Sequence, residues 1–180
     1  METMQQDTSW LPPSEALNRP INRQTDDVVR ALSQAATTRR LGFKVGSLGL
    51  LIAENAISEL MGVLSICPIP NTASWLVGLV NLRGNLVPVF DLNMLLGLEK
   101  GHEKKRMLLI LGEGDAAGTI MIDGLPVHLT FSENDKLESL PNLPDAIKPF
   151  ATSGYEKEGE IWFNFDHLGF FQSLVNKVPA

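Results

Sequence analysis

The sequence predicts a mainly β protein made of small barrels with short helices. Three observations carry this reading. Apolar residues alternate with period two in several short runs, Gly-containing turns separate those runs as in hairpins, and helical patterns are few and short. Many short strands with few helices exclude a parallel sheet of repeated βαβ units. No repeat of fixed period is visible.

Residues 1–24 mix Pro12, Pro13 and Pro20 with polar residues and show no apolar period, so an irregular arm is expected. Thr25 is a plausible cap for a short helix. Asp26 and Asp27 suit the positive end of its dipole, and Arg39 and Arg40 the negative end. The expected division is an N-terminal arm, partly helical or disordered, over 1–40 and a folded domain over 41–178.

From Leu41 the period becomes two. Leu41, Phe43 and Val45 precede Gly46-Ser47, and Leu48, Leu50 and Ile52 follow it, which reads as a hairpin. Residues 56–66 fit a strand or a helix equally. VGLVNL and LVPVF flank Arg83-Gly84-Asn85 as a second hairpin, with Pro88 requiring an edge position or a bulge. MLLIL (107–111) pairs with TIMI (119–122), and residues around 149–155 pair with IWFNF (161–165) across Glu158-Gly159. Asp91 caps the helix LNMLL, which Gly97 ends; Asp166 caps a C-terminal helix with an apolar stripe. The Pro-containing stretch 131–149 is expected to cross between sub-barrels.

Composition limits the function. The 180 residues are 44% hydrophobic and 20% charged, enough for one ordinary domain or two very small ones sharing a core. Lys and Arg number 15 against 21 acids, a net charge of −6, which argues against a nucleic-acid binder or a protein held on anionic lipid. Cys67 is the single cysteine, so no internal disulfide is possible. No apolar run approaches the roughly 20 residues of a membrane helix, and METMQQDTSW lacks the features of a signal peptide. A cytoplasmic protein without direct membrane insertion is expected.

Catalytic patterns are missing from the sequence. His102, His128 and His167 stand apart, outside any metal-ligand spacing, so no metal and no cofactor is expected. Cys67 precedes Pro68 and reads as a buried small hydrophobe; a nucleophilic role would need a His and a carboxylate brought to it in space. GEGDAAG (112–118) lacks the Lys-Ser/Thr ending of a phosphate loop and reads as a hairpin turn. Glu133, Asp135 and Glu138 fit a solvated loop. Trp75, Leu76, Val77, Leu79 and Val80 crowd together, and Trp162 lies outside the alternation of its strand. Most of these read as core, with a few available to line an exposed apolar groove.

Residues 69–98 resemble the CheW-like coupling domain of bacterial chemosensory arrays. The matching pieces are Ile69-Pro70-Asn71-Thr72, Gly78 and Val80, Asn81-Leu82-Arg83-Gly84, Val87-Pro88, and Asp91-Leu92. Ser58-Glu59-Leu60 and Met121-Ile122-Asp123-Gly124 extend the likeness to about residues 40–176. The long N-terminal arm and the divergent GYEKEGEIWFNF make the chain most like the coupling protein of a type IV pilus (twitching motility) system.

The resemblance implies two five-stranded SH3-like barrels sharing a hydrophobic core. It also implies a scaffold without catalysis, bridging the cytoplasmic tip of a methyl-accepting chemoreceptor to a histidine kinase regulatory domain. By the same likeness Arg83 and Glu59 pair near a receptor-binding groove. Asn71, Thr72, Trp75, Val77 and Gly78 flank that groove on a loop and short helix, and Asn81, Leu82 and Gly84 shape the turn. A flagellar coupling protein is the alternative within the family. A small β-barrel enzyme using Cys67 is the alternative outside it.

Overall fold

A computed structural model describes residues 37–63, 66–98, 105–175 and 177. The helix expected after Thr25 and the position of His102 lie outside these residues. The chain runs β1 (Thr38–Val45), β2 (Leu48–Ala53), β3 (Ser58–Gly62), β4 (Leu76–Leu82), β5 (Asn85–Phe90) and helix α1 (Leu92–Leu96). It continues with β6 (Arg106–Leu111), β7 (Gly118–Asp123), β8 (Val127–Phe131), β9 (Ala151–Lys157), β10 (Glu160–Phe165) and helix α2 (His167–Val175). Arg39 and Arg40, expected at a helix end, lie in β1 instead. Residues 58–62 resolve as strand.

Two five-stranded sheets result, in the orders β8-β1-β2-β10-β9 and β3-β6-β7-β5-β4. Each has one parallel step, β2 to β10 in the first and β7 to β5 in the second; the other pairings are antiparallel. The two orders are the same when β6 is matched to β1, β7 to β2, and so on to β10 with β5. The chain is therefore a tandem repeat whose halves are exchanged. β6 begins 68 residues after β1, and β10 begins 75 after β5. Each sheet takes two strands from one repeat and three from the other. This repeat was not visible as a fixed period because the second unit's connections differ in length.

Exchange explains the burial pattern. β2, β6 and β7 bury both faces, unlike the alternating strands of a one-sided sheet. One face feeds a core shared by both sheets: Leu50 and Ile52 of β2 meet Leu109 of β6 and Ile120 of β7. The other face fills a smaller core within each barrel. Leu51, Phe131 and Trp162 form the first; Val80, Val89, Leu108 and Ile110 belong to the second. Trp162 is thus out of step with its strand because it points into its own barrel. A Cβ on Gly42 or Gly49 would sit within 3 Å of its indole, so both glycines make room for it.

The barrel seams close by different means. In the first, Phe131 and Tyr155 meet at 4.8 Å with their rings tilted by 34°, and the Lys157 amine donates to the Thr130 carbonyl. In the second, Cys67 exchanges two backbone hydrogen bonds of 2.8 Å with Leu79 of β4. This bridge needs Gly78, whose φ is +152° and whose added Cβ would lie 2.2 Å from the Cys67 carbonyl oxygen. A polar contact also ties the sheets together: Gly46 N–H donates to Asp123 at 2.6 Å. Arg106 reaches from β6 to Asp91, the cap of α1, at 2.9 Å.

Two expectations are corrected. β5 is internal, between β7 and β4, and the register shift lies on its partner between Leu76 and Gly78. Pro88 is tolerated for another reason. Its partner Leu79 directs its N–H and C=O outward to Cys67, and the β7 pairing covers only Val89 and Phe90. The stretch 131–149 does not cross between barrels, since β8 and β9 belong to one sheet. It instead lays Leu143 and Ile147 into the shared core; residues 54–57 and 124–126 make the crossings.

Gly78→Ala should lower stability by more than about 3 kcal/mol, because it adds both backbone strain and a clash that only displacement of the Cys67 segment relieves. A wild-type thermal midpoint for this variant would show that the seam is not fixed there. The His167 imidazole is held below its ordinary 6.5 chiefly by burial, against the opposing pull of Asp166 and a hydrogen bond with the Phe165 backbone. The unfolded chain therefore takes the proton more readily. The stability from neutral His167 is complete above that ordinary value and is lost as pH falls below it. His167→Gln should flatten this part of the stability profile between about pH 7 and pH 5, measured by denaturant midpoints.

Candidate functional site

The β4–β5 hairpin turns through Arg83 and Gly84, with φ of 51° and 92°. Positive φ at both central residues defines a type I′ turn, for which Asn-Gly is the favoured pair. The Asn81 side chain accepts the Gly84 N–H at 2.8 Å and stabilises the turn from outside its centre. Arg83 is therefore an unusual choice, costing on the order of 1 kcal/mol of backbone strain. Its side chain reaches Glu59 of β3, with Nη2 2.8 Å from Oε2, and is 78% exposed. A pair so exposed returns only about 0–1 kcal/mol. Folding alone does not account for an arginine at this point.

The pair spans the open end of the second barrel, since β3 and β4 are its edge strands. Beside it lies a cleft of about 330 Å³ lined by Ile57, Leu82, Val87 and Ile110, with Glu113 on its rim. The cleft is held together by the Gly112 N–H, which donates to the Ile57 carbonyl at 3.0 Å. Ile57, Leu60 and Val63 are exposed around β3. Periodicity does not single out these three, because residues 56–66 fit a strand or a helix. Leu60 lies on β3 and Ile57 and Val63 flank it, so exposed apolar side chains on and beside an edge strand are the signal.

The other predicted residues divide into groups. Glu59, Asn81, Leu82, Arg83 and Gly84 gather at this barrel end. Asn71, Thr72 and Trp75 lie before β4, at its opposite end, roughly 20 Å away at about 3.3 Å per residue. They sit in turns without a helix. Asn71 is exposed with φ of 58°, and the Thr72 hydroxyl donates to the Ile69 carbonyl at 3.0 Å. Trp75 is half-buried against Phe90 at 6.0 Å, with its carbonyl accepting from Asp91 N–H. Val77 is half-buried against the second barrel's core, and Gly78 carries the Cys67 contact. Cys67 is exposed, not buried as expected. GEGDAAG forms the turn between β6 and β7 and exposes Glu113 and Asp115. Among the described residues no cluster of three His, Cys, Asp or Glu could hold a metal ion.

The sequence pattern of the CheW-like domain matches residues 39–175, which spans both barrels. The chain belongs to the CheW-like domain family. Protein PilI of Pseudomonas aeruginosa is 26% identical over 142 residues, covering 75% of this chain and 79% of that protein. Chemotaxis protein CheW of Rhizobium meliloti is 24% identical over 123 residues, covering 67% and 79%. Among solved structures, the scaffolding protein TtCheW of Thermoanaerobacter tengcongensis superposes with a TM-score of 0.61 at 19% identity, covering 72% of this chain and 84% of that one. That likeness supports the two-barrel CheW-like fold.

Arg83→Asn should unfold at the wild-type temperature or a few degrees above it, since a favoured turn residue replaces a strained one and only an exposed ion pair is lost. A drop of several degrees in a thermal melt would show that the pair matters to folding.

Proposed function

We propose that this chain is a non-catalytic scaffold that couples the cytoplasmic tip of a methyl-accepting chemoreceptor to the regulatory domain of a histidine kinase. The observation that carries this reading is the CheW-like match over both barrels, together with a strained, exposed arginine paired to Glu59 beside a cleft of mixed polar and apolar walls. A scaffold needs accessible surfaces of different chemistry on one rigid body, and the shared core provides the rigidity. The kinase regulatory domain of such systems has the same fold, so the two can alternate in rings. Modest individual contacts then add up through multivalency. The protein acts in the cytoplasm and reaches membrane-associated arrays through its receptor. Among the described residues no helix is long and apolar enough to cross a membrane.

The controlled output is type IV pilus twitching. Likeness to Protein PilI, the long segment before β1 and the GYEKEGEIWFNF stretch support this branch. The second reading, coupling in flagellar chemotaxis, is favoured by the likeness to the Rhizobium meliloti chemotaxis protein. In either system Arg83, Glu59 and the apolar residues around β3 form the receptor surface, with Asn81, Leu82 and Gly84 shaping its turn. Asn71, Thr72, Trp75, Val77 and Gly78 fix the approach of β4 to that surface.

Calorimetric titration of the full chain with the kinase regulatory domain and with a receptor tip fragment from the same organism tests the proposal. Both should bind at micromolar affinity or tighter. Arg83→Glu should weaken the receptor fragment by about tenfold or more and leave the kinase domain unaffected, because a reversed charge acts on partner choice. Failure of the folded wild type to bind either partner would overturn the scaffold reading, and unchanged receptor binding by the variant would remove Arg83 from the surface.

A further inference from the structure

β8 and β3 are matching edge strands of the tandem repeat. The first edge is guarded. Lys157 of β9 lies over the Phe131 ring at 5.6 Å and donates to the Thr130 carbonyl of β8. The residue 75 positions earlier is Leu82, which has no donor to offer β3. The segment that closes the second seam, at Cys67, pairs with β4 and not with β3. β3 also carries no Lys, Arg or Pro, the residues that commonly blunt an edge.

The backbone fixes what can pair there. Gly112 N–H donates to the Ile57 carbonyl, one step beyond the Ser58–Leu111 pair of the antiparallel ladder. By alternation, Glu59 and Met61 also turn their backbone groups toward β6. Ser58, Leu60 and Gly62 turn theirs outward, where they find no partner among the described residues. Side chains alternate as well. Met61 packs against the second barrel's core, Leu60 is exposed, and a Cβ on Gly62 would meet nothing. Ile57 and Val63, both exposed, stand three residues to either side of Leu60. A strand so arranged about its midpoint is complementary to itself under a two-fold axis.

We infer that β3 pairs antiparallel with β3 of a second copy of this chain, about a two-fold axis at Leu60. In that register Leu60 meets its own counterpart, Ser58 meets the counterpart of Gly62, and Glu59 that of Met61. The outward N–H and C=O groups of Ser58, Leu60 and Gly62 then satisfy one another, and Ile57 and Val63 meet at both ends. Charge permits this contact. Glu59, the one ionised side chain on the strand, faces a methionine and is already held by Arg83 at 2.8 Å. The two five-stranded sheets become one continuous sheet. Because β3 lies beside the Arg83–Glu59 pair, the dimer withholds that surface; this consequence alone rests on the proposed receptor role.

Sedimentation of the full chain over a range of concentrations is the test. The wild type should pass from monomer to dimer by about 0.5 mM. Leu60→Lys sets like charges against each other at the axis and should raise the dissociation constant about tenfold or more, with an unchanged melting temperature. Leu60→Pro should do the same by deleting an outward N–H while sparing the bonds to β6. Disulfide trapping reads the register in a Cys67→Ser background. Ile57→Cys and Val63→Cys chains, mixed and oxidised, should cross-link to each other, and neither to itself. A wild type that stays monomeric, or a dimer indifferent to both Leu60 variants, overturns the inference. Self-linking of either single-cysteine chain overturns the two-fold pairing. The receptor tip fragment should dissolve the wild-type dimer, and a complex holding two of each chain overturns the withholding. The self-association measurements contain no receptor, so their failure leaves the coupling role standing, and failure of receptor binding leaves the dimer standing.

Discussion

Burial of the central strands on both faces is the constraint on which this structure depends. A small five-stranded barrel buries little interior of its own and is marginally stable, and here the outer face of each sheet becomes the inner face of a larger, common core. β2, β6 and β7 supply side chains to two cores at once. The halves of the tandem repeat are exchanged, so neither barrel can be completed from a single repeat. Folding of one is thereby tied to folding of the other, and surfaces on the two barrels hold a fixed relation.

Local details around this core are subordinate to it. Gly42 and Gly49 leave space for the Trp162 indole, and Gly78 lets Cys67 close the second seam. Truncating a tryptophan in such a position typically costs about 3–5 kcal/mol, against about 1 kcal/mol or less for an exposed ion pair. That contrast separates Trp162, which is architecture, from Arg83, whose exposed ion pair at most balances the strain of its backbone. Glu158-Gly159 occupies the matching turn 75 residues on, with φ of 54° and 78°. The backbone device is repeated, with a cation at the first tip and an anion at the second.

A fixed offset of 75 residues links Arg83 to Glu158, Gly84 to Gly159, Phe90 to Phe165 and Asp91 to Asp166. The pattern was open to a sequence comparison but escaped one based on short-range period. Only β4–β5–α1 and β9–β10–α2 preserve this spacing. The loops between the remaining strands differ in length, which hides the repeat elsewhere.

Local rules determined much of this protein. Period-two runs located four hairpins, and side-chain caps located α1 at Asp91 and α2 at Asp166. The Asn81-Leu82-Arg83-Gly84 signature pointed to the family and to the ion pair with Glu59. Tertiary structure alone decided the rest. β8 was missed because VHLTF is largely exposed and gains its place by pairing with β1. Pro88 was misplaced because its tolerance depends on where Leu79 directs its hydrogen bonds. The 131–149 stretch was misread because the destination of a loop is set by the strands it joins. The cleft beside Arg83 joins β3, the β4–β5 tip and the β6–β7 turn, elements far apart in the chain. Periodicity and capping act within a few residues, whereas a cleft exists only after non-local packing has brought its walls together.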